Sequence, residues 1–203
     1  GWLSRRLEEN PPEGLEEWVG AFSSVLLRFR GRAPVEDALR EWMGPIPGSW
    51  PSLDTGRVVD VPVRYDGPDL EEVARRTGQG VEEVIRRHSD GDYRVRCLGF
   101  SPGFAYLSGL DPALHVPRRA TPRERVRVGS VAIGGEHAGV YTVPSPGGWN
   151  VVGTTSRRLF DPGAARLADR FVLAVGDRVR FVATEDGCND VFEGTRWATP
   201  ALP

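Results

Sequence analysis

The most strand-dense part of the sequence is VRVGSVAIGGEHAGVYTVPSPGGWNVVGT, residues 126–154. It breaks into short runs rich in valine, 126–133, 140–143 and 150–154, and each is closed by glycine or proline. Runs of four to eight β-branched residues bounded by such turns read as strands joined by tight connections. The same cadence extends outward, to 93–100 on one side and to 171–174 and 178–183 on the other. Many short strands with regular turn signals predict an antiparallel barrel or sandwich.

Further upstream, 57–63 places Val59, Val61 and Val63 on one face of another strand. Asp69 then reads as a helix cap with Glu72 in the capping-box position, and Gly78 as the stop. A second helix carries Val81, Val84, Ile85 and His88 on one stripe. Before it all lies GPIPGSWPSLDTG, 44–56, crowded with the residues of turns and connections. A domain boundary there divides the chain into a small α+β unit, 1–56, and a β-rich unit, 57–203. In the first unit, Leu3 and Leu7 mark a helix stopped by Asn10, Pro11 and Pro12. A strand is expected at 24–30. Val35, Ala38, Leu39, Trp42 and Met43 follow the helical period, with Pro34 suited to the first turn.

The 203 residues carry 39% hydrophobic and 27% charged side chains, the balance of an ordinary globular protein. A net charge of -2 argues against nonspecific nucleic-acid binding. No run approaches the roughly 20 apolar residues that cross a bilayer, and GWLSRRLEEN lacks the order of a signal peptide, so a cytoplasmic location away from membranes is expected. Cys97 and Cys188 form no metal or redox spacing, and no metal is expected. All basic residues are arginine, five of them clustered at Arg118, Arg119, Arg123, Arg125 and Arg127.

Arg118 and Arg123 each follow a proline, which stiffens the backbone that carries them. A guanidinium held in place suits a carboxylate or phosphate, whereas on a solvated strand face it binds nothing. In PSPGGW, Gly147 and Gly148 before Trp149 fit either a close backbone approach to a ligand or a tight turn. Phe100, Phe104 and Tyr106 in GFSPGFAYLSGL fit either a hydrophobic cleft or core packing. Of the histidines, His88 belongs to a buried helical stripe, His115 has no clear partner, and His137 is the candidate for proton transfer.

Three motifs, GFSPGFAYLSGL (99–110), PRRATPRERVRVGSVAIGG (117–135) and PSPGGWNVVG (144–153), resemble the family of the 5-oxoprolinase B-subunit, PxpB. That family includes the sporulation-kinase inhibitor KipI and was long described as allophanate hydrolase subunit 1. The resemblance implies an α+β N-terminal domain followed by an all-β cyclophilin-like barrel. It also implies ATP-dependent opening of 5-oxo-L-proline to L-glutamate, with ATP shared with a partner. The partners implied are a KipA-like C-subunit, together with an A-subunit. A KipI-like role would instead make the partner a histidine kinase, and a urea or allophanate pathway is a further alternative. On the resemblance, the glycine pair and Trp149 belong to a ligand site.

This chain departs from the family at several points. His137 and Ala138 stand where glutamine and threonine are usual, Thr142 replaces a proline, and Thr154 replaces a basic residue. Family members usually open with a glycine-containing strand before the first helix, whereas this sequence begins inside the helix, so the expectation is either an N-terminal sheet without that edge strand or a trimmed N-terminus.

Overall fold

The computed structural model describes residues 2–45 and 57–185. Most of the expected connection at 44–56, and Cys188, lie outside the described residues. The chain runs α1 (Trp2–Glu9), β1 (Leu15–Gly20), β2 (Val25–Phe29) and α2 (Glu36–Met43). Then follow β3 (Val58–Val63), α3 (Leu70–Thr77), α4 (Val81–Ser89), β4 (Tyr93–Leu98) and β5 (Ala105–Ser108). The series ends with β6 (Arg123–Val126), β7 (Ser130–Gly134), β8 (His137–Val140), β9 (Ser145–Gly147), β10 (Asn150–Thr154) and β11 (Arg178–Ala183).

Seven strands form one sheet in the order β10-β7-β8-β5-β4-β11-β3. Its two edges meet at a backbone bridge: Arg64 N donates to the Thr154 carbonyl at 2.9 Å, and Thr154 N to the Arg64 carbonyl at 2.8 Å. That bridge closes the sheet into a barrel and removes the open edges that strands otherwise expose. The ladder is not wholly antiparallel as expected. β3 and β11 run parallel, with Val58 opposite Arg178 through Val63 opposite Ala183, because the whole barrel lies between them in sequence.

The period of two in β3 is borne out: Val59, Val61 and Val63 are buried and join Val95, Leu107, Ile133, Val152 and Phe181 in one core. Helices α3 and α4 cover it through Val73, Ala74 and Val84. Each valine, leucine, isoleucine or phenylalanine so removed from water stabilises by roughly 1.5–3 kcal/mol. The wall made by β7 and β10 is buried on both faces. A second cluster of Phe104, Val126, Ala132, Tyr141, Trp149 and Val151 lies on its outer side, under the β6–β9 ribbon.

Several local expectations are corrected. Residues 126–133 do not form one strand, since a turn at Gly129, whose φ is 81°, separates β6 from β7. Residues 171–174 contribute only a bridge between Phe171 and Phe160. Residues 105–108, read as part of a motif, are a strand. Pro34 is not in the first turn of α2, which starts at Glu36 with Val35 as its cap. Gly78 ends α3 as expected, in the left-handed conformation that glycine adopts without penalty. The capping box does not form. Asp69 makes no side-chain bond to the helix, and Glu72 pairs with Arg75 instead.

The buried clusters draw every member from Val59 onward. In the N-terminal segment, β1 and β2 pair as a hairpin whose first strand the sequence pattern does not predict. Arg6 lies against the rings of Trp2 and Trp42, at 5.7 and 5.3 Å, and donates to the Trp42 carbonyl, tying α1 to α2. Among the described residues no helix is long and apolar enough to cross a membrane.

Candidate functional site

The tip of the β1–β2 hairpin reaches the barrel beside β8. Phe22, in the loop between the strands, stacks on the His137 ring with centroids 4.2 Å apart. Arg96 on β4 also reaches the hairpin tip, 5.8 Å from the Phe22 centroid. Between hairpin and barrel opens a cleft of ≈ 450 Å³. Phe100, Tyr106, Arg118 and His137 all line it, so four singled-out residues from three separate stretches of sequence converge on one space.

An aromatic cluster supports the cleft from behind. Phe104 is 1% exposed and meets Phe100, Tyr106, Tyr141 and Trp149 edge-on at centroid distances of 5.1–5.5 Å. It is core, while Phe100 and Tyr106 present their rings outward. Phe100 is 58% exposed and holds a φ of 66°, a conformation that costs a bulky side chain about 1–2 kcal/mol. Thr142 donates to the Pro102 carbonyl at 2.6 Å and fixes the turn that sets Phe100 there. The departure at Thr142 is therefore structural.

Arg118 has no carboxylate partner among the described residues. Its guanidinium lies 5.9 Å from the Trp149 ring centroid, a cation–π contact that holds the fork while leaving its donors available. Trp149 is buried beneath it. His137 is one-sided: Nε2 stands 3.7 Å from a Glu136 carboxylate oxygen, and Nδ1 is shut from solvent without a hydrogen-bond partner. Desolvation lowers the imidazole pKa below its usual value against the opposing pull of Glu136, so the ring is neutral at pH 7. Ala138, beside it, is fully buried and touches no part of the cleft.

The other candidates lie elsewhere. Arg123 is bound to Asp69, with Nη1 and Nη2 at 2.7 and 2.8 Å from its two oxygens. Arg119 and the Val151 amide complete that buried carboxylate's shell at 2.6 and 2.7 Å. Gly147 sits in β9 with its α-carbon against the Tyr141 phenol, so any side chain there would collide with the ring. The Gly148 carbonyl accepts from Arg119 N at 2.7 Å. Thr154 donates to Asp66 at 2.8 Å. His88 is buried as expected, its Nδ1 2.7 Å from the Tyr65 hydroxyl, and burial pushes its pKa down to about 3. His115 Nε2 lies 3.1 Å from the Leu110 carbonyl.

Sequence reasoning missed Phe22 and the hairpin side of the cleft. The available signal was the Ser23–Ser24 turn ahead of the apolar run that starts at Val25.

Residues 2–168 match a family model described as the carboxyltransferase domain, subdomain C and D. The 5-oxoprolinase B-subunit of Escherichia coli O157:H7 is 46% identical over 134 residues, 64% of this chain and 60% of that protein. The same-named protein of Bacillus subtilis strain 168 is 36% identical over 191 residues, 87% of this chain and 78% of that one. The chain thus spans about 60% of the length of the E. coli relative. The crystal structure of TTHA0988 superposes with a TM-score of 0.74 at 42% identity, covering 90% of this chain and 36% of that one.

Proposed function

Because the chain belongs to the 5-oxoprolinase B-subunit family, we propose that it is the B-subunit part of an ATP-dependent lactam hydrolase acting on 5-oxo-L-proline. One observation carries the reading. A guanidinium without a carboxylate partner among the described residues and a desolvated imidazole face the same largely apolar cleft. The substrate is a five-membered lactam with one carboxylate, and each part has a counterpart there.

Arg118 offers two parallel N–H donors to the carboxylate, a pairing worth more than a single neutral hydrogen bond. Phe100 and Tyr106 present aromatic surface to the lactam ring. His137 is neutral at pH 7 and has a buried, unpaired Nδ1, so a ligand group within reach would satisfy it. In this reading the imidazole accepts a proton from attacking water and returns it to the lactam nitrogen as the ring opens.

ATP supplies the driving force: its γ-phosphoryl group passes to the lactam oxygen as ADP leaves, breaking of the C–N bond leaves an acyl phosphate, and a second water releases inorganic phosphate. The cleft offers one uncommitted guanidinium and no glycine-rich loop of backbone N–H groups, so it fits a small carboxylate and not a triphosphate. We therefore assign the nucleotide to a surface completed by the C-subunit, with the A-subunit finishing hydrolysis. The relative TTHA0988, in whose chain the matched region is only 36% of the length, supports additional polypeptide around this fold.

The test is ATP turnover by the chain alone and by the chain with its partner subunits. We expect none alone, and ADP release that depends on 5-oxoproline in the complex. Robust turnover by the isolated chain, or turnover in the complex indifferent to 5-oxoproline, would sink the proposal.

A further inference from the structure

A second concavity of ≈ 330 Å³ lies at the barrel seam, where the Arg64–Thr154 bridge closes the sheet. Arg64, Arg123, Arg125 and Arg127 line it together with Ser130 and Thr154. It shares no lining residue with the hairpin cleft.

The charges there are unequal. Asp66 faces the groove, but it already accepts from Arg64 Nε at 2.6 Å and from the Thr154 hydroxyl. Asp69 answers both Arg119 and Arg123. Arg125 and Arg127 have no carboxylate partner among the described residues. Glu124 does not line the groove. The hydroxyl of Ser130, a residue 5% exposed, makes no hydrogen bond among the described residues. Two free forks, a third held rigid by Asp69 and an unused hydroxyl surround one concave space.

Like charges gathered in a concavity repel one another and focus a positive potential that draws anions in. The arginine fork matches phosphate oxygens bidentately. Apolar lining is limited to Pro68, Val126 and Val151, with no aromatic ring to stack a base. We infer that the groove of Arg125, Arg127 and Ser130 at the barrel seam is a binding site for a phosphate group, presented free or as part of a polyphosphate.

Isothermal titration of the full chain at low ionic strength tests this, with inorganic phosphate and tripolyphosphate set against sodium chloride of matched ionic strength. The native chain should bind saturably. Arg125→Gln with Arg127→Gln should weaken binding at least about tenfold, the loss expected for charge-assisted bonds, at unchanged melting temperature. Tripolyphosphate binding more tightly supports a polyphosphate occupant, and equal binding supports a free phosphate. Absence of saturable binding, or binding equal in the double variant, overturns the inference. Arg118→Gln must leave phosphate binding intact. Its loss there would move the anion to the hairpin cleft and refute the seam site, whatever becomes of the lactam reading.

Discussion

Asp69 gathers two guanidinium groups and a backbone amide onto one buried carboxylate, so removing its charge strands three donors at once. Asp69→Asn should cost roughly 3 kcal/mol, the scale for breaking a buried ion pair, as measured by denaturant unfolding. Burial works to raise its pKa, but the Arg123 and Val151 hydrogen bonds and the two arginine charges hold it below the usual carboxylate value. A depressed folded pKa means that this stability is fully present above about pH 4 and is lost as pH falls through the folded value. The variant should lack that part of the acid dependence; an unchanged acid profile would show that the carboxylate does not anchor the barrel. Its local sequence, Asp69 with Glu72, fits a capping box, which is why the sequence suggests one. The actual partners lie 50, 54 and 82 residues away, beyond the reach of any local pattern. His88 was legible by contrast, because helical spacing alone places it inward.

At the scale of elements, the strands with strict alternation or continuous apolar runs, β3, β10 and β11, were legible close to their ends. β1 was not, because the Glu16–Glu17 pair interrupts its period and a bulge shifts its register between Leu15 and Glu17. Missing β1 hid the hairpin, and with it half of the cleft. The cleft's barrel side was readable as separate motifs, but nothing local says that Arg118 and His137 face one space. The hairpin tip acts through Phe22, which excludes water from His137. Phe22→Ala should therefore raise the His137 pKa toward about 6.5, as followed by NMR titration of the ring protons, because desolvation is the largest cause of its depression. Activity of the complex should then fall off at higher pH than in the native form, since the proton-accepting ring is lost sooner on acidification. An unmoved pKa would mean that the hairpin does not desolvate the site.

For the whole molecule, the barrel was legible as a class from turn spacing, whereas its closure was not. Closure depends on backbone bonds between Arg64 and Thr154, and on β11 returning parallel to β3, pairings with no side-chain signature. The resulting architecture brings the N-terminal hairpin against the barrel, and the candidate cleft opens where they meet. Affinity for 5-oxoproline in the reconstituted complex reports on that juxtaposition. Arg118 lies over Trp149 without a carboxylate partner among the described residues, so its loss should spare the fold. Arg118→Gln should weaken 5-oxoproline binding by about 10- to 100-fold, the equivalent of about 1.5–3 kcal/mol for a charge-assisted pair, at unchanged melting temperature. Native affinity in that variant would contradict the assignment of the cleft as the lactam site.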